Sequence, residues 1–136
     1  MRVLGIDVGS KRVGVAFDAG TQGIAIQPYG VFFRAQNAAL REIVSLVTTL
    51  QVDLVVVGVP LGSDGESASS QAQDCLRFGE KLRKRISVEL CFVDESFSSL
   101  EAESRLREAN RARPHADAEA ATIVVERYFE SIRKDS

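Results

Sequence analysis

The sequence predicts an α/β domain: a five-stranded mixed sheet, its first three strands antiparallel, with helices on both faces. Three observations carry this. The chain opens on two short apolar runs joined by a turn, the pattern of an antiparallel hairpin. Asp53 to Val59 (DLVVVGV) is nearly all apolar, as a strand covered on both faces must be. From Leu40 onward, segments with helical and with strand-like spacing alternate, which implies parallel strands with crossover helices.

Each element follows from a local pattern. Residues 2–8 read as strand one, Gly9 to Arg12 as a turn and Val13 to Phe17 as strand two. Ile24 to Phe33 is a third strand of edge type, broken by Pro28 and Gly30. Leu40, Ile43, Val44, Val47 and Leu50 keep helical spacing. Strand four is the DLVVVGV run. Pro60 to Glu66 is dense in turn formers, and a helix from about Ser67 to Arg85 follows it. Val88 to Val93 is strand five. Ser98 or Ser99 caps a short helix running to about Asn110. The last helix begins near Ala116, with an apolar stripe of Ala118, Ala121, Thr122, Val125, Tyr128, Phe129 and Ile132.

At 136 residues the chain suits one domain spanning 1–136, with no internal repeat or linker. A net charge of −2 gives no global attraction to nucleic acid, so any such binding must come from local patches. No apolar run reaches membrane-span length and no secretory signal is visible. Cys75 and Cys91 sit on apolar positions and read as small buried hydrophobes of a reducing compartment. The expected location is the cytoplasm.

Chemistry enters with Asp7, a carboxylate inside an apolar strand. Unpaired, it would cost several kcal/mol of lost hydration, on the order of the buried-charge penalty. Its face of the strand otherwise carries Gly5 and Gly9, which suggests room for a cation and a bulky anion near the backbone. The bland alternative is an aspartate satisfied by turn amides around Gly9 to Lys11. Asp94-Glu95 ends strand five, and Asp117 opens the last helix on its core-facing side. Three carboxylates converging from these places would repel unless cations sat between them. Oxygen-only ligands favour Mg²⁺ or Mn²⁺.

LGIDVGSKRVGVAFD (Leu4–Asp18), VVVGVPLGSDG (Val55–Gly65), FVDESFSS (Phe92–Ser99) and DAEAATIVVERYF (Asp117–Phe129) resemble the YqgF/RuvX family. That family is Holliday-junction-resolvase-like, has the RNase H-like fold, and is described as nucleases of the small-subunit ribosomal RNA precursor. The resemblance implies that Asp7 is the strand-one catalytic aspartate, Glu95 the glutamate of an Asp-Glu-Arg motif, and Asp117 the aspartate of the last helix. In related nucleases such carboxylates hold divalent metals. One position departs: the arginine of the motif is Ser96 here, which puts one phosphate contact or salt bridge in doubt.

The expectation is therefore phosphodiester cleavage with two divalent ions about 3.5–4 Å apart, bridged by Asp7. His115 and Glu119 flank Asp117 as secondary candidates, and Asp94 braces the turn. Lys11 and Arg12 follow Asp7 and could meet a phosphate. Arg105, Arg107, Arg111 and Arg113, between Glu95 and Asp117, are the expected nucleic-acid contacts. Lys81, Arg83, Lys84 and Arg85 end a helix and read as a solvated face. The Gly62 to Gly65 loop faces an anion-friendly helix start but lacks the P-loop pattern. Few exposed aromatics are expected near the basic residues, so base stacking is not indicated.

The partner is nucleic acid, RNA before DNA; oligomeric state is left open, a dimer included. Branched or single-stranded DNA is the alternative substrate. A non-catalytic ribosome-assembly module is the alternative of another class. GIDVGS also resembles the first phosphate loop of actin-like and sugar kinases, but those need a second lobe that 136 residues cannot supply.

Overall fold

A computed structural model describes residues 1–60, 70–95 and 116–134. Five strands form one sheet: β1 (Arg2–Val8), β2 (Arg12–Ala19), β3 (Gln27–Phe33), β4 (Leu54–Val59) and β5 (Glu89–Asp94). Among the described residues three α-helices flank it: α1 (Ala38–Thr49), α2 (Ser70–Arg83) and α3 (Ala116–Lys134). The strand order is β3-β2-β1-β4-β5. β1 pairs antiparallel with β2 and parallel with β4, which places it at the centre. β2–β3 is antiparallel and β4–β5 parallel, so the sheet is mixed as expected.

The period-2 alternation of the strands sorts their side chains into two cores. Leu4, Ile6, Val8, Val13, Val15, Val55 and Val57 pack under α1 and α2, with Ile43, Phe78 and Leu82. Val3, Ala16 and Val56 point the other way and pack against Ala121, Val124, Val125 and Phe129 of α3. Asp7 shares this second face with Val3 and Gly5. α3 therefore covers the same side of the sheet from which the Asp7 carboxylate projects.

Two differences from expectation have physical causes. The third strand begins at Gln27, not Ile24. Asp18, fully buried, accepts hydrogen bonds from the amides of Thr21 (2.8 Å) and Gly23 (2.6 Å) and from the Thr21 hydroxyl. These bonds fold residues 18–23 into a tight connection and leave Ile24 exposed. Burial acts to raise the Asp18 carboxyl, but the hydrogen bonds from Thr21 and Gly23 prevail and hold it below its ordinary value. The second difference lies on α3, where Ile132 is exposed rather than part of the apolar stripe. The expected short helix over 98–110 and the cap at Ser67 lie outside the described residues.

The pairing of β2 with β3 shifts register between Val15 and Ala16, opposite Pro28 to Gly30. Proline has no N–H to give the ladder, so the irregularity falls where the sequence breaks the strand. Cys75 is buried and its thiol meets the Val8 carbonyl at 3.8 Å. Burial pushes this thiol up to about 12, with Glu95, Asp7 and Asp74 adding to it, so it stays protonated and structural.

Candidate active site

The three expected carboxylates lie at one edge of the sheet, outside the carboxyl ends of β1, β4 and β5. Asp7 stands near the end of central β1, partly buried. Glu95 follows β5 directly; its amide donates to the Val59 carbonyl (3.1 Å), which extends the parallel ladder by one bond. Asp117 sits in the first turn of α3.

β4 lies between β1 and β5, so Glu95 must cross a strand to reach Asp7. Gly58 makes the crossing possible. A methyl group there would lie 2.7 Å from Glu95 Oε2 and 2.8 Å from its Cδ. A methyl group fits beneath the carboxyl group only if the Glu95 and Val124 side chains move. Gly14 does the same on the other side. It is the register partner of Asp7 on β2, and a methyl group there would lie 1.8 Å from the Asp117 carbonyl oxygen. The start of α3 rests on bare β2 backbone. Asp7 is thus flanked by a glycine on each neighbouring strand, one admitting Glu95 and the other admitting α3.

Asp7 and Glu95 share a hydrogen bond. Glu95 is only 5% exposed. Burial, then the negative charge of Asp7, then the hydrogen bond to Asp7 push its carboxyl up to about 9. Both carboxyls are raised, so the pair keeps a proton between them. The Asp7 carboxyl is also raised, first by burial and further by the charge of Asp117, while the bond from Glu95 pulls it down. The turn does not supply Asp7's partner: the Gly9 amide is committed to the Arg12 carbonyl at 2.8 Å.

Asp117 is close enough to act on Asp7 through its charge, yet its own carboxylate is turned to Arg12. Arg12 Nε lies 3.0 Å from Asp117 Oδ2, with the two side chains 48% and 33% exposed. Among the described residues no group of three His, Cys, Asp or Glu side chains stands in a metal-holding arrangement. The structure brings Asp7 and Glu95 into contact and sets Asp117 beside them in the hand of a cation.

Arg12, expected to face a phosphate, therefore already has an anionic partner, and Lys11 beside it is exposed. Arg34, not singled out in the sequence, braces the turn after Asp7. It donates to the Gly9 carbonyl (2.8 Å) and makes a two-bond pair with Asp74 of α2 (2.6 and 2.9 Å). Nothing in local sequence marks a pair separated by 40 residues. The expectation that Gly5 leaves room for a ligand is corrected. A methyl group at Gly5 would lie 2.4 Å from Val125 Cγ2, so that space belongs to α3. The expectation of few aromatics beside Arg105, Arg107, Arg111 and Arg113 lies outside the described residues; elsewhere, Tyr29 and Phe33 on β3 are 45% and 67% exposed. Alternation of Tyr29, Val31 and Phe33 along an edge strand was the available signal. Glu119 lies one residue pair along α3, its carbonyl accepting from the Thr122 hydroxyl. Ser96, Arg105, Arg107, Arg111, Arg113, His115 and the Gly62 to Gly65 loop lie outside the described residues.

Relatives are consistent with this geometry. Residues 1–131 match the family model described as "RuvX: Holliday junction resolvase". Two relatives, from Maridesulfovibrio salexigens and Dechloromonas aromatica, carry the name "Putative pre-16S rRNA nuclease". The first is 35% identical over 134 residues, covering 95% of this chain and 98% of its own length. The second is 36% identical over 134 residues, covering 95% and 90%. Among solved structures, Thermus thermophilus RuvC in complex with a Holliday junction substrate superimposes with a TM-score of 0.59 at 13% identity, over 98% of this chain and 96% of that one. The fowlpox virus Holliday junction resolvase gives 0.58 at 14% identity, over 97% and 99%. These neighbours share the fold, which is RNase H-like. With a family model spanning nearly its whole length and relatives above one-third identity, the chain belongs to the RuvX family.

Proposed function

We propose that this protein is a nuclease that hydrolyses phosphodiester bonds, with the precursor of 16S ribosomal RNA as its substrate and Asp7, Glu95 and Asp117 as its catalytic carboxylates. The observation that carries the reading is the Asp7–Glu95 pair. Two carboxyls in contact at one edge of the sheet, sharing a proton, are poorly suited to stability alone. They are well suited to a divalent cation, which would replace that proton.

The donor set fits a hard ion. It offers oxygen only, from Asp7 and Glu95, as Mg²⁺ or Mn²⁺ prefers. Asp117 would complete the set by exchanging Arg12 for the ion. Two divalent ions held by Asp7, Glu95 and Asp117 would supply activation of a water and charge stabilisation of the departing oxygen. The chain's own residues do the rest. Asp7 is fixed by the β1 ladder and by Glu95. Glu95 is fixed by Gly58 beneath it and by the Val59 carbonyl behind its amide. Arg12, once released from Asp117, is placed to meet the substrate phosphate. Lys11 adds a second cation at the same turn. The arginines at 105, 107, 111 and 113 extend the basic surface in this proposal. The protein works in the cytosol, in keeping with two free cysteines.

The test is cleavage of 5′-extended 16S precursor RNA, matched single strands and a branched DNA, each with Mg²⁺, Mn²⁺ or chelator. Asp7→Asn is expected to lose at least about 10²-fold in rate, the scale of one removed acid–base group, while still binding RNA. Cleavage by Asp7→Asn at the wild-type rate would refute the assignment. One observation favours a second reading, a binding module without catalysis: Asp117 is occupied by Arg12. Saturable RNA binding with no cleavage in Mn²⁺ would select it. Preference for the branched DNA would move the substrate to the family's other named activity.

A further inference from the structure

A groove of about 420 Å³ runs along the exposed edge of β3, lined by Arg12, Pro28, Tyr29, Val31, Phe33 and Ala118. Two of its lining residues, Arg12 and Ala118, are neighbours of Asp117. Ala118 adjoins Asp117 in α3, and Arg12, the register partner of Phe33, is the residue that holds Asp117. Alternation puts Tyr29, Val31 and Phe33 on one face of the strand, the face that α3 partly covers. Tyr29 and Phe33 are four residues apart, about 13 Å along an extended strand. Neither ring is used by the protein's own core: Phe32, between them in the alternation, packs under α1 instead.

Two large exposed rings on an edge strand call for an occupant. The lining favours one. Among the described residues its charged lining member is a cation, Arg12, whose guanidinium pairs with Asp117 beside the groove. An anion with flat apolar faces fits: rings offer stacking, and the guanidinium offers a phosphate contact. Only an unpaired strand can present base faces to Tyr29 and Phe33, since duplex bases are already stacked on one another.

We propose that this groove holds single-stranded nucleic acid, with Tyr29 and Phe33 as stacking platforms and Arg12 at the junction between groove and carboxylates. The proposal rests on the nuclease reading for its orientation: it makes the substrate an unpaired strand that enters along β3. Base stacking on an aromatic side chain is worth about 1–3 kcal/mol per base, so each ring accounts for roughly a 5- to 150-fold change in affinity.

The chain has no tryptophan, so Phe33→Trp supplies a single reporter at the groove. It is titrated, in metal-free buffer, with a 12-mer of oligouridylate, with the matching oligothymidylate and with the oligouridylate–oligoadenylate duplex. The expected result is saturable quenching by the single strands and none by the duplex. Tyr29→Ala and Phe33→Ala, both exposed positions whose folding is checked by circular dichroism, should each weaken single-strand binding roughly 5- to 150-fold. Unchanged affinity in both, equal quenching by duplex, or concentration-dependent dimerisation abolished by Phe33→Asp would overturn the groove. Cleavage is measured in parallel. If wild-type protein cleaves and Asp7→Asn does not while Phe33→Trp stays silent, the groove fails and the nuclease stands. If Phe33→Trp is quenched but nothing is cleaved, the groove stands and the nuclease fails.

Discussion

The Glu95 carboxyl lies directly over Gly58, so close that a methyl group on that glycine would sit 2.7 Å from Glu95 Oε2. Gly58 is the gap in β4 through which Glu95 reaches Asp7. Gly58→Ala must push both Glu95 and Val124, whose Cγ2 is equally close. The expected cost is about 1–3 kcal/mol of overpacking. The expected loss of activity is larger than stability alone explains, because the displaced group is the shared carboxyl. Denaturant unfolding and the cleavage rate, measured on the same preparation, check this. Full activity in a destabilised variant would show that Glu95 need not touch Asp7.

Gly14→Ala should be harsher. The obstacle there is the Asp117 carbonyl at 1.8 Å, a backbone atom in the first turn of a 19-residue helix. A side chain can rotate away, but α3 must lift from the sheet as a body. The variant should lose more stability than Gly58→Ala, at or beyond the upper end of the ~1–3 kcal/mol range. Ranking the two by urea midpoint decides the matter, and a milder effect at Gly14 would contradict the close seating of α3.

The glycines also mark where sequence reasoning ran out. Strand and helix positions were legible because burial imposes period 2 or 3.6 on side chains, and DLVVVGV announced a strand covered on both faces. Asp7 was legible because a carboxylate is costly in such a run. The same string held Gly58, but a glycine in a strand signals only close approach, not what approaches. The partner, Glu95, belongs to another strand, and only the order β1-β4-β5 identifies it. Gly5 shows the reverse error: it suggested ligand space, and α3 fills that space. The Arg12–Asp117 and Arg34–Asp74 pairs were illegible because they join segments 105 and 40 residues apart, with no periodic signature.

Arg12→Ala separates structural from functional weight at the ion pair. Both partners are substantially exposed, so the pair contributes under about 1 kcal/mol to stability. The unfolding midpoint should barely move. If Arg12 turns to the substrate phosphate, RNA affinity falls for every sequence tested, and the slope of log affinity against log salt drops by about one. An unaltered salt slope would confine Arg12 to holding Asp117.

The shared proton makes a pH prediction whose sign is fixed. Glu95 titrates at about 9 in the folded protein and at its ordinary 4.5 when unfolded, with burial the first cause and the charge of Asp7 the second. Between these values the folded state binds the proton and the unfolded state does not. Stability from this group is therefore fully present below about 4.5 and is lost as pH rises toward about 9. Asp7, raised by burial, shifts in the same direction. In chelator, the melting temperature of wild-type protein should fall from pH 5 to pH 9 more steeply than that of Glu95→Gln. The amide keeps a hydrogen bond to Asp7 but carries no titrating proton. Mn²⁺ must displace that proton, so its stabilising effect should be greater at pH 8.5 than at pH 5.5 in wild type and largely absent in Glu95→Gln. Parallel melting curves for the two proteins across this range, with no pH-dependent response to Mn²⁺, would show that Asp7 and Glu95 neither share a proton nor exchange it for a metal.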